Sequence, residues 1–121
     1  MFRQKEWPFI GSSGTTYTFT IYPKSAELPD AGGIILLAYT HPRGHRAGYQ
    51  ANILHIGHGV DLSAPLDQQA NLECAASECW NCTYALIEPD EKARVACVHD
   101  LLQNHMPPCQ SKGGRLDQPP D

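Results

Sequence analysis

The sequence predicts one small α/β or α+β domain, and three observations carry that prediction. Residues 16–22 (TYTFTIY) alternate, with Tyr17, Phe19 and Ile21 on one side and Thr16, Thr18 and Thr20 on the other, the period of a half-buried strand. Residues 33–39 (GIILLAY) are apolar on both faces, as in a central strand covered twice. Pro89-Asp90-Glu91 then opens a helical pattern whose stripe is Val95, Val98, Leu101 and Leu102: Pro suits the first turn, and two acids suit the positive end of the helix dipole.

The remaining elements fall between these anchors. Ser12-Ser13-Gly14 is a turn leading into the first strand, and residues 23–33 read as a loop. Residues 40–50 (THPRGHRAGYQ) form a long hairpin loop, and residues 51–56 (ANILHI) return as a strand that stops at Gly57. Leu62, Leu66, Ala70 and Cys74 then recur every four residues, which predicts a helix capped near Asp61 or Ser63 with Pro65 in its first turn. Residues 83–87 (TYALI) make a short strand, and Pro107-Pro108 ends the last helix. The predicted order is strand, strand, strand, helix, strand, helix, without an internal repeat. Residues 1–15 read as an N-terminal segment, 16–110 as the folded domain, and 111–121 as a mobile tail with nothing to bury.

Composition narrows the function classes. With 121 residues, 41% hydrophobic and 18% charged, the chain has the balance of a globular domain with one modest core. A net charge of −4 argues against a generic electrostatic grip on nucleic acid. No apolar run is long enough for a bilayer, and the charged start MFRQKEWPFIGSSG has no apolar stretch behind it. A cytoplasmic location without membrane association is therefore expected. The five cysteines read as reduced, mostly buried thiols, because an odd number cannot all pair internally.

Three fragments, taken in order and spacing, resemble a GIY-YIG nuclease domain: GII at Gly33–Ile35, HIG at His55–Gly57, and HDLLQNHMPPCQ at His99–Gln110. Asp61-Leu62 sits where the first helix of such a domain opens. The resemblance covers roughly residues 17–110 and implies a small three-stranded antiparallel central sheet flanked by helices, with TYTFTIY as an additional N-terminal strand. It also implies a site in which two tyrosines, an arginine, a cation-binding glutamate and an asparagine cleave phosphodiesters. Those positions fall here at Ile35, His55, Pro65, Val98 and Gln110. Neither an isopropyl group nor a pyrrolidine supplies an oxygen ligand or a positive clamp, so the largest catalytic contribution is lost. The resemblance thus implies a domain that no longer cuts nucleic acid, with no catalytic residue and no cofactor expected.

Other residues suggest other chemistry. His55 has the ordinary pKa range of a general base, and a nuclease of altered chemistry would pair it with Asp61, Glu73 or Asp100 as cation ligands. His58 lies in a glycine-flanked turn, and His55 and His58 with His99 or Cys97 form a candidate zinc set. Cys74, Cys79 and Cys82 follow C-x4-C-x2-C, with Cys97 and Cys109 downstream, the start of an iron–sulfur or zinc ligand pattern. That stretch lacks the glycines that normally wrap a cluster. Arg43, His45 and Arg46 make a basic knot at the hairpin tip, suited either to phosphate contact or to solvent. Trp80 reads as core or as a stacking surface. The leading expectation is a non-catalytic binding or interaction module, with a protein partner or weak nucleic-acid affinity.

Overall fold

The computed structural model describes residues 5–24, 26–42, 49–64 and 71–110. Strands β1 (Glu6–Ile10), β2 (Thr16–Pro23), β3 (Gly33–Pro42), β4 (Tyr49–Gly59) and β5 (Cys82–Ile87) form one sheet in the order β1-β2-β5-β3-β4. Every neighbouring pair is antiparallel. Helices α1 (Leu72–Ser77) and α2 (Glu91–Asn104) are the helices of the described residues. This corrects the expected architecture of three strands flanked by helices: the described residues are mostly sheet, with five strands curled into a half-barrel. The strand of TYTFTIY is no appendage, because it lies hydrogen-bonded between β1 and β5.

Strand β1 was not foreseen, and its sequence explains why. EWPFI is short and carries Pro8, which lacks the ladder donor and is tolerated on an edge strand. It is held by cross-strand pairing and by Phe9, whose ring meets Phe19 and Tyr84 edge-on at 5.6 and 5.1 Å. The curl brings β1 and β4 near one another, where Trp7, Ile10, Gln50 and Ala51 line one depression with Asn104 and His105 from the end of α2.

The sheet is covered on both faces. On one, Phe9, Phe19, Ile34, Leu36, Ala38, Ile53, Ile56 and Tyr84 pack under Cys97 and Leu101 of α2. On the other, Ile35, Leu37, Leu54 and Ala85 pack under Leu62, Ala75, Trp80 and Cys109. The buried positions on α2 are Arg94, Cys97 and Leu101, while Val95 is 48% exposed, so the predicted stripe is rotated by about one residue. Arg94 takes the inward place because its guanidinium finds backbone acceptors: Nη1 donates to the carbonyls of Glu88 (3.1 Å) and Pro89 (2.9 Å).

Helix α1 also departs from expectation. Asp61 and Ser63 form a local turn, with Asp61 Oδ1 accepting from Ser63 N at 3.0 Å, and the helix cap is Asn71, which accepts from Cys74 N at 3.1 Å. Pro65, Leu66 and Ala70 lie outside the described residues. The far end of α1 closes as a Schellman turn: Trp80 N donates to Ala75 O (3.0 Å) and Cys79 N to Ala76 O (3.1 Å). Cys79 occupies the left-handed position usually given to glycine, at φ 70°, and its side chain is exposed. Replacing Cys79→Gly relieves the steric cost while adding freedom to the unfolded chain. The expected net gain is about 0.5–1 kcal/mol, seen as a higher urea midpoint at unchanged slope.

Two side-chain amides extend the sheet where strands end. Asn81 accepts from Thr40 N (2.8 Å) and donates to Thr40 O (2.9 Å), continuing the β3–β5 ladder by one step. Gln110 does the same on the outer edge of β4, as the site geometry makes plain.

Candidate functional site

The site begins with a bulge in β4. Leu37 of β3 faces His55, but Ala38 faces Ile53, so Leu54 is an extra residue in the ladder. The alternation of a regular strand breaks here, and Leu54 and His55 are both buried. His55 is 2% exposed, on the face that also holds Leu37 and Ile35. Its Nε2 lies 3.0 Å from where a Cβ on Gly57 would stand, so glycine two residues on leaves room for the imidazole.

The chain after α2 crosses this face and seals it. Cys109 N donates to Leu54 O at 2.9 Å, and Cys109 O lies 3.4 Å from His55 Nδ1. Gln110 Oε1 accepts from Ile56 N at 2.8 Å while Gln110 Nε2 donates to Ile56 O at 2.6 Å. The glutamine amide thus mimics a peptide unit on the edge of β4 instead of pointing into an open pocket. Ile35, opposite Gly57 on β3, is 1% exposed. Val98 lies elsewhere, half-buried on α2 against the core of the opposite face. The positions where the resemblance places catalytic groups are therefore split between two faces, and those on the His55 face are packed shut. Pro65 lies outside the described residues, as do Arg43, His45 and Arg46.

The substitute cation ligands do not join His55. Asp61 is engaged with Ser63, with Ser63 Oγ at 2.6 Å, and Glu73 is exposed on α1. The Asp100 carboxylate accepts from Ser13 N (2.8 Å), Ser13 Oγ (2.7 Å) and Tyr17 OH (2.8 Å), clamping the β1–β2 turn onto α2. These donors hold the Asp100 carboxyl below its ordinary value, and burial together with that carboxylate pushes Tyr17 up to about 12.

The cysteines also differ from expectation. Cys74 and Cys109 are joined by a disulfide, while Cys79, Cys82 and Cys97 are free. The expectation of five reduced thiols is therefore corrected: the fold brings α1 and the C-terminal run together across 35 residues, which spacing could not show. With Cys74 committed to Cys109, the C-x4-C-x2-C pattern does not converge on one point. Burial pushes the Cys97 thiol up to about 12, away from the thiolate that a metal requires. Among the described residues no three His, Cys, Asp or Glu side chains gather as a metal site. His99 is exposed on α2. Trp80 is core: it is 8% exposed, donates from Nε1 to Cys82 O at 3.0 Å, and carries the Lys24 ammonium over its ring at 4.9 Å.

Two features had no sequence signal. One is the pairing of His58 with Arg94, whose Nε donates to His58 Nδ1 at 3.4 Å; burial first, and then the Arg94 charge, lower the His58 pKa below its ordinary value. The other is an open groove of about 680 Å³ between the far ends of β3 and β4 and the end of α2, lined by Tyr39, Asn52, Cys79, His105 and Met106 among others. Tyr39 stacks on His41 at 4.8 Å, a pairing of residues two apart on one strand face.

No protein-family model, curated protein or solved structure matches this chain. Among the described residues no helix is long and apolar enough to cross a membrane.

Proposed function

We propose that this chain is a non-catalytic binding module that retains traces of a GIY-YIG plan in sequence and works through its surface. The observation that carries this reading is the use made of Ile35, His55 and Gln110. Two are buried to within 2% of complete, and the third spends both ends of its amide on the backbone of Ile56. A phosphodiester needs an open cleft with a proton acceptor, a positive clamp and a cation ligand in reach of one another. Here the acceptor is sealed and the carboxylates are engaged elsewhere or exposed. The groove at Tyr39, Asn52 and His105 offers polar groups and an aromatic surface to a partner, and a protein partner suits the acidic chain better than a polyanion.

The test is incubation with plasmid and single-stranded DNA in magnesium and in manganese. No cleavage is expected; time-dependent cutting that His55→Ala abolishes while the variant remains folded would overturn the reading. A salt titration of nucleic-acid binding separates the weak-affinity component. Absence of binding at low salt, or a slope near zero in log affinity against log salt, removes it.

A further inference from the structure

The geometry points to the Cys74–Cys109 disulfide as a reducible latch, which holds the run Met106–Gln110 over His55 and the outer edge of β4 and releases it when a dithiol reductant arrives. This inference is independent of the binding reading. Past α2, the run touches the fold through few bonds: Cys109 N to Leu54 O, Cys109 O to His55 Nδ1, the two Gln110 amide bonds to Ile56, and the disulfide itself. Of its other residues, Met106 is 94% exposed and Pro108 is exposed, while Pro107 is half-buried. The core on the α2 face includes neither sulfur, and the β2–β5–β3 ladder runs without this segment. Loss of the bond thus unties one strap and leaves most of the sheet paired. It frees the N–H and C=O of Ile56 and the C=O of Leu54, edge groups with which an extended chain can pair, and it uncovers His55.

The exchange has an accessible entry. Cys74 is half-buried, whereas Cys109 is 2% exposed. A dithiol thiolate attacks Cys74 Sγ, forming a mixed disulfide and expelling Cys109 as a thiolate that takes a proton. The second dithiol sulfur then displaces Cys74, leaving a cyclic disulfide and two protein thiols, so two electrons and two protons pass to the protein.

The experiment uses the full chain purified without reductant, in the Cys79→Gly background so that no exposed free thiol reshuffles the bond. Thiol titration should find two free groups, Cys82 and Cys97. Amide hydrogen exchange is then compared before and after dithiothreitol. Exchange at Ile56 and Cys109 should accelerate at least about tenfold, while Ala85 and Leu36 in the central ladder keep their protection. Cys74→Ala should reproduce the pattern without dithiol, and diethyl pyrocarbonate should label His55 only in the reduced or variant protein. Four free thiols at the outset, unchanged exchange after reduction, or loss of protection throughout the sheet would each overturn the latch. The last outcome would make the bond a staple of the whole fold.

Discussion

Gly33→Ala should lower stability by about 3 kcal/mol and the melting temperature by about 10 °C, a large share of the margin of a domain this size. The reason is not backbone conformation but proximity. Gly33 opens β3 between Gly59 of β4 and Ile87 of β5, and a methyl group there would overlap the Leu86 carbonyl oxygen. It would also stand 3.1 Å from the Ile87 Cα and 3.0 Å from Leu62 Cδ1. The first two are backbone atoms of a paired central strand, which cannot yield without breaking the ladder. Leu62 has no freedom either, being fully buried with its N–H donated to Ala31 O at 2.9 Å. The control is Gly59→Ala, the direct cross-strand partner, where a methyl group meets nothing within 4 Å. Gly59→Ala should stay within about 0.5 kcal/mol of the wild type in urea unfolding. Equal losses at the two positions would show that strand propensity, and not contact with Leu86, decides the effect.

This pair also shows what the sequence carries and what it does not. The apolar run after Gly33 announces a central strand because burial on both faces admits little else. The same text cannot say that Gly33 lies against Leu86, more than fifty residues on. Strands β2, β3 and β5 and helix α2 were legible because period, double-sided burial and Pro-Asp-Glu are local signals. Strand β1 was not, since Pro8 interrupts a five-residue pattern. Nor was the insertion of β2 beside β5, a long-range pairing that no local period encodes. The four-residue recurrence from Leu62 to Cys74 put Leu62 on a helix, but Leu62 is buried from a turn, and α1 itself opens after Asn71.

At the candidate site, legibility ended where tertiary contact began. His55 was placed on a strand by ANILHI, but nothing local showed the bulge at Leu54 that turns both side chains inward. Gln110 stands where the resemblance implies an asparagine, and its amide is occupied by strand-like bonds to Ile56. The Cys74–Cys109 bond was invisible because its partners are 35 residues apart and the cysteine total is odd. Arg94 was the hardest case. An arginine one residue before an apolar stripe normally faces water, and only the carbonyls exposed at the end of β5 give its charge a reason to turn in.

That arrangement leads to the second large effect: Arg94→Met should destabilise the fold by about 2–3 kcal/mol and flatten its sensitivity to mild acid. Methionine replaces the buried stem but not the donors, so the carbonyls of Glu88 and Pro89 lose their charged partner. The acid response follows from His58. Its pKa in the folded protein lies below the ordinary 6.5, first through burial and then through the Arg94 charge, with Glu91 acting in the opposite direction. The unfolded chain therefore binds the proton more readily than the folded one. The contribution of neutral His58 is present above 6.5 and is lost as the pH falls through its lowered folded value. Asp100, also lowered, adds a second decline once the pH drops below its ordinary 3.8. Removing the Arg94 charge leaves burial and Glu91 in place, so the His58 shift shrinks without vanishing. Urea midpoints from about pH 7.5 to about pH 5 should thus fall less steeply in Arg94→Met than in the wild type, and His58→Gln should flatten the same window. Below that window both variants should still weaken, because the Ser13–Asp100–Tyr17 clamp is untouched. Parallel curves for Arg94→Met and wild type across the upper window would mean that His58 does not sense the guanidinium, and that Arg94 serves only the two carbonyls.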